Sequence, residues 1–255
     1  MPARRLHLEH RRDLGDLLRT TLWLFARHAP TFLAVTLLVV GPAWVALHRL
    51  GDTDLAWGVT PVWAVVVPPL VTALHVRIVQ RLGEGVTPTP WAAVAEAAGR
   101  LPTALVAGAL YAIGVTIGLA LLVVPGWIVA VRWYFAPQAA VLDRGGPIAA
   151  VRAGHELTRG SWARILVYLV AAGVALGVLG GVPADLLAHA VGGGAGVGVD
   201  VLAQTVVASL TALFGTLLYF DLRVRQAGPG PRAAQPAGRG TAFARRGSAG
   251  APRRA

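Results

Sequence analysis

Five long stretches without a single Asp, Glu, Lys or Arg set the terms on which this chain can fold. They run for 21 residues between Arg27 and Arg49, 22 between Asp54 and Arg77, and 31 between Arg100 and Arg132. Two more, of 20 residues each, lie between Arg164 and Asp185 and between Asp200 and Asp221. Roughly 20 apolar residues in a helix cross the ~30 Å hydrocarbon core of a bilayer. A water-soluble fold of 255 residues would have to bury all five stretches in one core, which a chain this size can hardly do. Composition points the same way, with 55% apolar and 14% charged residues, against about 45–50% and 25% in soluble domains. The chain has no cysteine, which excludes disulfides, thiolate metal sites and Cys nucleophiles.

The expected fold class is therefore all-α: a polytopic membrane helix bundle with six transmembrane spans. They fall at about 29–48, 55–76, 102–123, 127–142, 164–183 and 200–222. The 31-residue stretch is too long for one crossing and is interrupted by Pro125-Gly126, so it divides in two. The fourth span is short and carries Arg132; five spans plus a re-entrant 127–142 segment is the alternative. Residues 1–12 read as an N-terminal arm and 13–225 as the membrane domain. Residues 226–255, rich in Arg, Gly and Pro, read as a disordered tail that buries too little to offset its ordering entropy. The Gly-rich 191–198 stretch reads as a flexible loop.

Orientation follows from arginine. All 23 basic residues are Arg. The complete absence of Lys, beside 31 Gly and 17 Pro, reflects GC-rich codon usage rather than guanidinium chemistry. Of these, 22 fall in the N-terminal arm, the 77–100 and 132–164 connections and the C-terminal tail; Arg49 alone falls in the alternate loops. The positive-inside rule then puts both termini in the cytoplasm of a bacterium, with the chain in its plasma (inner) membrane. The first apolar run has no small-x-small cleavage site before Arg49, so span one reads as an uncleaved anchor.

A polar-faced helix precedes each pair of spans. At 100° per residue, Leu14, Leu17, Leu18 and Phe25 fall opposite Asp16, Arg19 and Arg27. Trp91, Val94, Ala95, Ala98 and Leu101 oppose Glu96 and Arg100. Ala150, Ala153, Leu157 and Ser161 oppose Arg152, His155, Glu156 and Arg159. These are read as three cytoplasmic interfacial amphipathic helices, 13–27, 91–101 and 148–162, each running into a span.

The 122–166 stretch carries a distinctive order of features. A Pro125-Gly126 entry leads to an apolar helix with Arg132, then Pro137 and an acidic exit at Asp143. Gly146-Pro147 and an Ala-rich amphipathic helix follow, ending in Leu157-Thr158-Arg159-Gly160 before the next span. This resembles the glycerophosphoryl diester phosphodiesterase membrane-domain family and related six-helix bacterial membrane proteins of unknown function. The opening, Gly15-Asp16-Leu17-Leu18 through Phe25-Ala26-Arg27, resembles that family's entry helix. The resemblance spans about 13–225 and implies the six-helix fold. In that family's enzymes the chemistry resides in a separate barrel domain of about 250 residues, whose His-Arg-Gly type motif does not occur here: His48-Arg49 is followed by Leu50. No phosphodiesterase activity is therefore transferred.

Local chemistry is sparse. His155-Glu156-Leu157 lacks the second His of the zinc-protease helix. His28, His48, His75 and His189 sit at expected span edges, where an amphipathic ring is at home. Ser161 and Ser209 have no base nearby in sequence. No catalytic residue, cofactor or metal is expected, and the chain is read as not an enzyme. Arg132 is the one charge placed well inside the bilayer; it implies a partner, for which Asp185 and Asp200 are the candidates. Its readings are a polar substrate contact, a buried ion pair or a snorkelling side chain. Gly173, Gly177 and Gly181 form small-xxx-small steps, as do Gly114 and Gly118, for packing within the chain or across a dimer. Arg152, Arg159 and Arg164 are candidate lipid-headgroup contacts. The tail's arginines are diluted by Gly and Pro with one aromatic, so nucleic acid is not an expected partner.

The function expected is a non-catalytic scaffold or lipid-interacting accessory module of envelope or lipid metabolism. Membrane lipids, anionic ones in particular, are the partners it implies; a homo-oligomer or a protein partner stays open. The alternative is a small transporter or channel with a polar site around Arg132. It would show a cavity lined by Arg132, Gln138, Gln204 and Thr205, where a scaffold would show a sealed apolar interior.

Overall fold

The computed structural model describes residues 13–50, 54–143 and 145–227, and every regular element among them is helical. The expected arm at 1–12, residues 51–53 and all but the first two residues of the expected tail lie outside the described residues.

The first helix, α1 (Leu14–Leu50), bends at His28 (φ −122°, ψ 24°). Pro30 causes the break, because its ring removes an N–H and crowds the carbonyl four residues back. The segment before the bend buries Leu17, Thr21 and Leu24 and exposes Asp16, Arg19 and Arg27, as its sequence stripe requires. α2 (Asp54–Gly83) returns and ends in α3 (Pro90–Ala98), which starts where Thr89 Oγ1 accepts the Ala92 N–H at 3.3 Å. That side chain meets one of the orphan donors of the first turn. α3 buries Ala93 and Ala97, whereas Trp91, on the expected apolar face, is 75% exposed.

α4 (Leu101–Leu121) and α5 (Val123–Trp133) form a tight hairpin reversed at Leu122. A Cβ on Gly118 would lie 2.8 Å from Gly126 Cα, and one on Gly114 would lie 2.3 Å from the Trp133 ring. The expected span 127–142 is not one helix. It breaks after Trp133 and resumes as α6 (Ala136–Leu142), because Pro137 cannot continue the hydrogen-bond ladder and instead occupies the first turn of a new helix.

α7 (Pro147–Thr158) buries Ala150, Gly154 and Leu157 and meets α8 (Trp162–Leu176) at 99°. The corner uses Gly160 at φ +79°, a conformation L side chains rarely adopt. α8 runs through a π-turn (Gly177–Gly181) into α9 (Val182–Val191). The 191–198 segment is not the loop its composition suggests. Gly192 and Gly193 (φ +65° and +55°) reverse the chain, and α10 (Gly193–Ala227) begins at once. A Cβ on Gly196 would meet the Ala188 carbonyl oxygen at 2.4 Å, so glycine serves close packing of α9 on α10 rather than flexibility.

The core centres on α10, which packs most extensively against α1 and also on α2 and α9. Tyr219, Phe32, Phe135 and Phe214 are its largest fully buried apolar side chains, drawn from α10, α1 and the α5–α6 break. Four segments are long and apolar enough to cross a membrane: α1, Val65–Gly83 of α2, α4 and α10. Taking α7 and α8 together as one bent span makes five.

Candidate functional site

Three polar features punctuate the apolar interior, and two of them join helices far apart in sequence. Near the C-terminal end of α1, Trp44 and His48 stand one helical turn apart and converge on Asp200 of α10. Trp44 Nε1 donates to Asp200 Oδ2 at 2.6 Å, and His48 Nε2 lies 2.8 Å from the same oxygen. Asp200 is 8% exposed, so these contacts compensate its loss of water.

The expected pairing of Arg132 with Asp185 or Asp200 is not formed. Arg132 is exposed on α5 and makes no ion pair among the described residues. Asp200 is taken by α1, and Asp185 faces its own helix, with His189 Nδ1 at 3.4 Å.

Deeper in the bundle, His75 is fully buried rather than at a span edge. Its Nδ1 lies 2.8 Å from the Val71 carbonyl, and its Nε2 lies 2.9 Å from Ser209 Oγ. A carbonyl only accepts, so Nδ1 carries the proton. In the neutral ring Nε2 is then the acceptor, and the Ser209 hydroxyl donates to it. Phe32 stacks on the imidazole at 5.1 Å. Local sequence hides this pair, since 134 positions separate its members. Ser209 and His75 are both 0% exposed.

The third feature is a cavity of about 400 Å³ enclosed by α1, α2, α4, α10 and the start of α6. Its walls are mostly apolar, with Trp63, Gln138 and Gln204 among the polar side chains that face it. Gln138 and Gln204 are where the sequence places them; Arg132 and Thr205 are absent from the wall, and the Thr205 hydroxyl bonds the Val201 carbonyl at 2.7 Å instead. Two of the lining residues each hold a buried atom without a hydrogen-bond partner among the described residues, Trp63 Nε1 and Gln138 Oε1. Gln138 is 3% exposed. A buried polar atom left unpaired costs about 1–3 kcal/mol. Pro68, Pro69 and Pro137 border the same space. Pro69 has no N–H, so the Val65 carbonyl in this wall lacks its helical donor. An apolar groove of about 360 Å³ between α5 and α8 shares Tyr111 and Tyr134 with the cavity.

At the arginine-rich end, charges are paired along the surface. Arg81 on α2 donates to both carboxylate oxygens of Glu96 on α3, at 2.7 and 2.8 Å, and holds that carboxyl below its ordinary pKa. Arg223 on α10 meets Asp143 at 2.5 Å, and Arg77 Nη2 donates to the Val141 carbonyl. By contrast Arg152, Arg159 and Arg164 are exposed and form no ion pair among the described residues. No group of three His, Asp or Glu side chains among the described residues is placed to hold a metal ion.

No family model, curated protein or solved structure matches this chain.

Proposed function

We propose that this protein is a non-catalytic, lipid-interacting membrane module of a bacterial plasma membrane, an accessory to envelope or lipid metabolism. The observation that carries the reading is a set of apolar stripes left uncovered along the helices. Val106, Ile113, Ile117 and Leu121 form one on α4, over about 22 Å at 1.5 Å per residue. Val167, Val170, Val174 and Val178 form another along α8 and the π-turn. Contiguous exposed apolar surface of this extent requires a bilayer or a partner against it.

In this reading the chain crosses six times, with α5 and α6 together as the fourth crossing and α8 with the π-turn as the fifth. The first segment of α1, α3 and α7 lie at the cytoplasmic interface, and the arginine partition keeps both termini inside. The resemblance of 122–166 to the glycerophosphoryl diester phosphodiesterase membrane domain supports the same assignment. The Ser209–His75 pair acts as a structural tie in this reading, since both side chains are fully buried.

Arg152, Arg159 and Arg164 are the headgroup contacts of this module, exposed and unneutralised on α7 and the start of α8. Each basic residue near an anionic surface contributes on the order of 1 kcal/mol. Native mass spectrometry with cardiolipin or phosphatidylglycerol tests this. Arg152→Ala with Arg159→Ala is expected to lower anionic-lipid occupancy while the bundle stays folded. Equal occupancy would leave these arginines only a role in setting topology.

One observation favours a second reading, a small transporter or channel: the interior holds a cavity rather than a sealed core. Its polar site is then the Gln138 and Gln204 wall, not Arg132.

A further inference from the structure

We propose that the reversal between α4 and α5 is seated in the hydrocarbon of the outer leaflet, so that this hairpin turns inside the bilayer and its tip contacts acyl chains rather than water. The proposal rests on the membrane reading above and names the partner of one surface.

The tip is apolar throughout. Leu121, Leu122, Val123 and Val124 are consecutive, and they are 73, 66, 63 and 69% exposed. From Ile117 to Val131 the indole of Trp127 is the only side chain with a polar atom. Turns that emerge into water ordinarily draw on Gly, Asn, Asp and Ser. The reversal between α9 and α10 is of that kind, with Gly192 and Gly193 at positive φ and exposed Asp185 and His189 on the helix before it. The α4–α5 reversal has the opposite chemistry.

Its backbone suits the same surroundings. Leu122 (φ −161°, ψ 141°) is the one non-helical residue between the two helices. Its N–H donates to the Gly118 carbonyl at 3.0 Å, and its carbonyl accepts the Gly126 N–H at 3.2 Å. Irregular backbone is kept out of hydrocarbon by unpaired polar groups, and at this residue both groups are paired. Pro125 brings no N–H into the first turn of α5. Length agrees too. The 21 residues of α4 rise about 30 Å from the arginine-rich end, the thickness of the hydrocarbon core. The tip therefore reaches the outer edge of that core and ends there.

Exposure on every side identifies the occupant. The uncovered stripe of Val106, Ile113 and Ile117 on α4 runs into Leu121, so the tip continues a surface already set against the bilayer. A partner helix would cover one face. Consecutive side chains do not share a face in a helix or a strand, yet all four are exposed. A fluid hydrocarbon covers all directions at once.

The test uses the absence of cysteine. Leu122→Cys, Ile113→Cys and Gly194→Cys are each spin-labelled in the purified full chain and reconstituted into phosphatidylethanolamine–phosphatidylglycerol vesicles. Collision with oxygen, which concentrates in hydrocarbon, is compared with collision with a water-soluble nickel chelate. The label at Leu122 should respond more to oxygen than to nickel, as at Ile113, and the label at Gly194 should show the reverse. Val124→Asp should lower the amount of folded chain recovered from membranes, whereas Gly194→Asp should not.

Nickel dominance at Leu122 beside oxygen dominance at Ile113 would put the tip in water and overturn the proposal, leaving the membrane reading intact. Weak collision with both reagents at Leu122 would mean that protein covers the tip, and would overturn it equally. So would full membrane recovery of Val124→Asp. Nickel dominance at all three positions would bring down the membrane reading as well.

Discussion

Ser209 shows how much a single hydroxyl can hold in a bundle whose interior is mostly apolar. Among the described residues it is the only side chain hydrogen-bonded to the buried imidazole of His75, and that bond ties α10 to α2. Removing it leaves the ring nitrogen unpaired in a site without water. Ser209→Ala is expected to cost about 1–2 kcal/mol, read as a lower Tm in detergent, whereas Ser209→Thr should retain most of the stability. An unchanged Tm for Ser209→Ala would mean that packing alone sets the α2–α10 contact. Neither residue announces this role in sequence. A His in an apolar run looks like an interfacial ring, and its partner is identified only once two distant helices are brought side by side. Asp200 is similar: its acidity was plain, but the competition for it was decided by Trp44 and His48, one turn apart on a helix 152 or more positions away.

Among elements, the same four-residue glycine spacing has two different outcomes. Gly114 and Gly118 on α4 meet α5 so closely that any side chain would collide with Trp133 or the Gly126 backbone. A Cβ on Gly173, Gly177 or Gly181 would meet nothing within 4 Å among the described residues, so the close packing that their spacing suggests is not made there. Gly118→Leu is therefore expected to open the α4–α5 hairpin and lower the Tm, with a penalty of at least the 1–3 kcal/mol typical of overpacking, while Gly173→Leu should leave the monomer's Tm within error. Periodicity locates small residues; what faces them depends on helix phase and on breaks such as the one before Phe135, which a hydropathy profile passes over. The α2–α3 corner carries a pH signature. Because Arg81 hydrogen bonds lower the folded-state pKa of Glu96, the stabilisation is fully present above the ordinary glutamate value of 4.5 and is lost as pH falls through the lower folded value. Hydrogen-exchange protection across Pro90–Ala98, taken relative to the intrinsic rate at each pH, should fall on acidification below that point in the wild type and be low already at neutral pH in Glu96→Gln. Identical profiles in the two proteins would remove the corner from the account.

For the molecule as a whole, the arginine partition predicts topology more sharply than any contact does. The chain lacks cysteine, so single cysteines can be introduced one at a time and probed with an impermeant thiol reagent. Residues at 185–200 should label from outside intact cells and residues at 145–160 only after permeabilisation; the reverse pattern would invert the orientation. The all-helical class and the long apolar helices were legible from uncharged run lengths alone, because the cost of exposing backbone to hydrocarbon leaves few alternatives. Bends were less so. The 99° corner at Gly160 and the interruption before α6 depend on which carbonyls and side chains happen to be near, a matter of tertiary context. The π-turn at Gly177–Gly181 is a further case, and it has a consequence for how the last two helices fit. A π-turn holds one residue more than an α-turn, and each residue in an α-helix advances the azimuth by about 100°. Everything after Gly181 is therefore rotated by roughly that angle from the direction α8 alone would dictate. The Ala188 carbonyl that receives Gly196 owes its bearing to this extra residue, so the glycine-rich turn acts as a phase correction that aims α9 at α10.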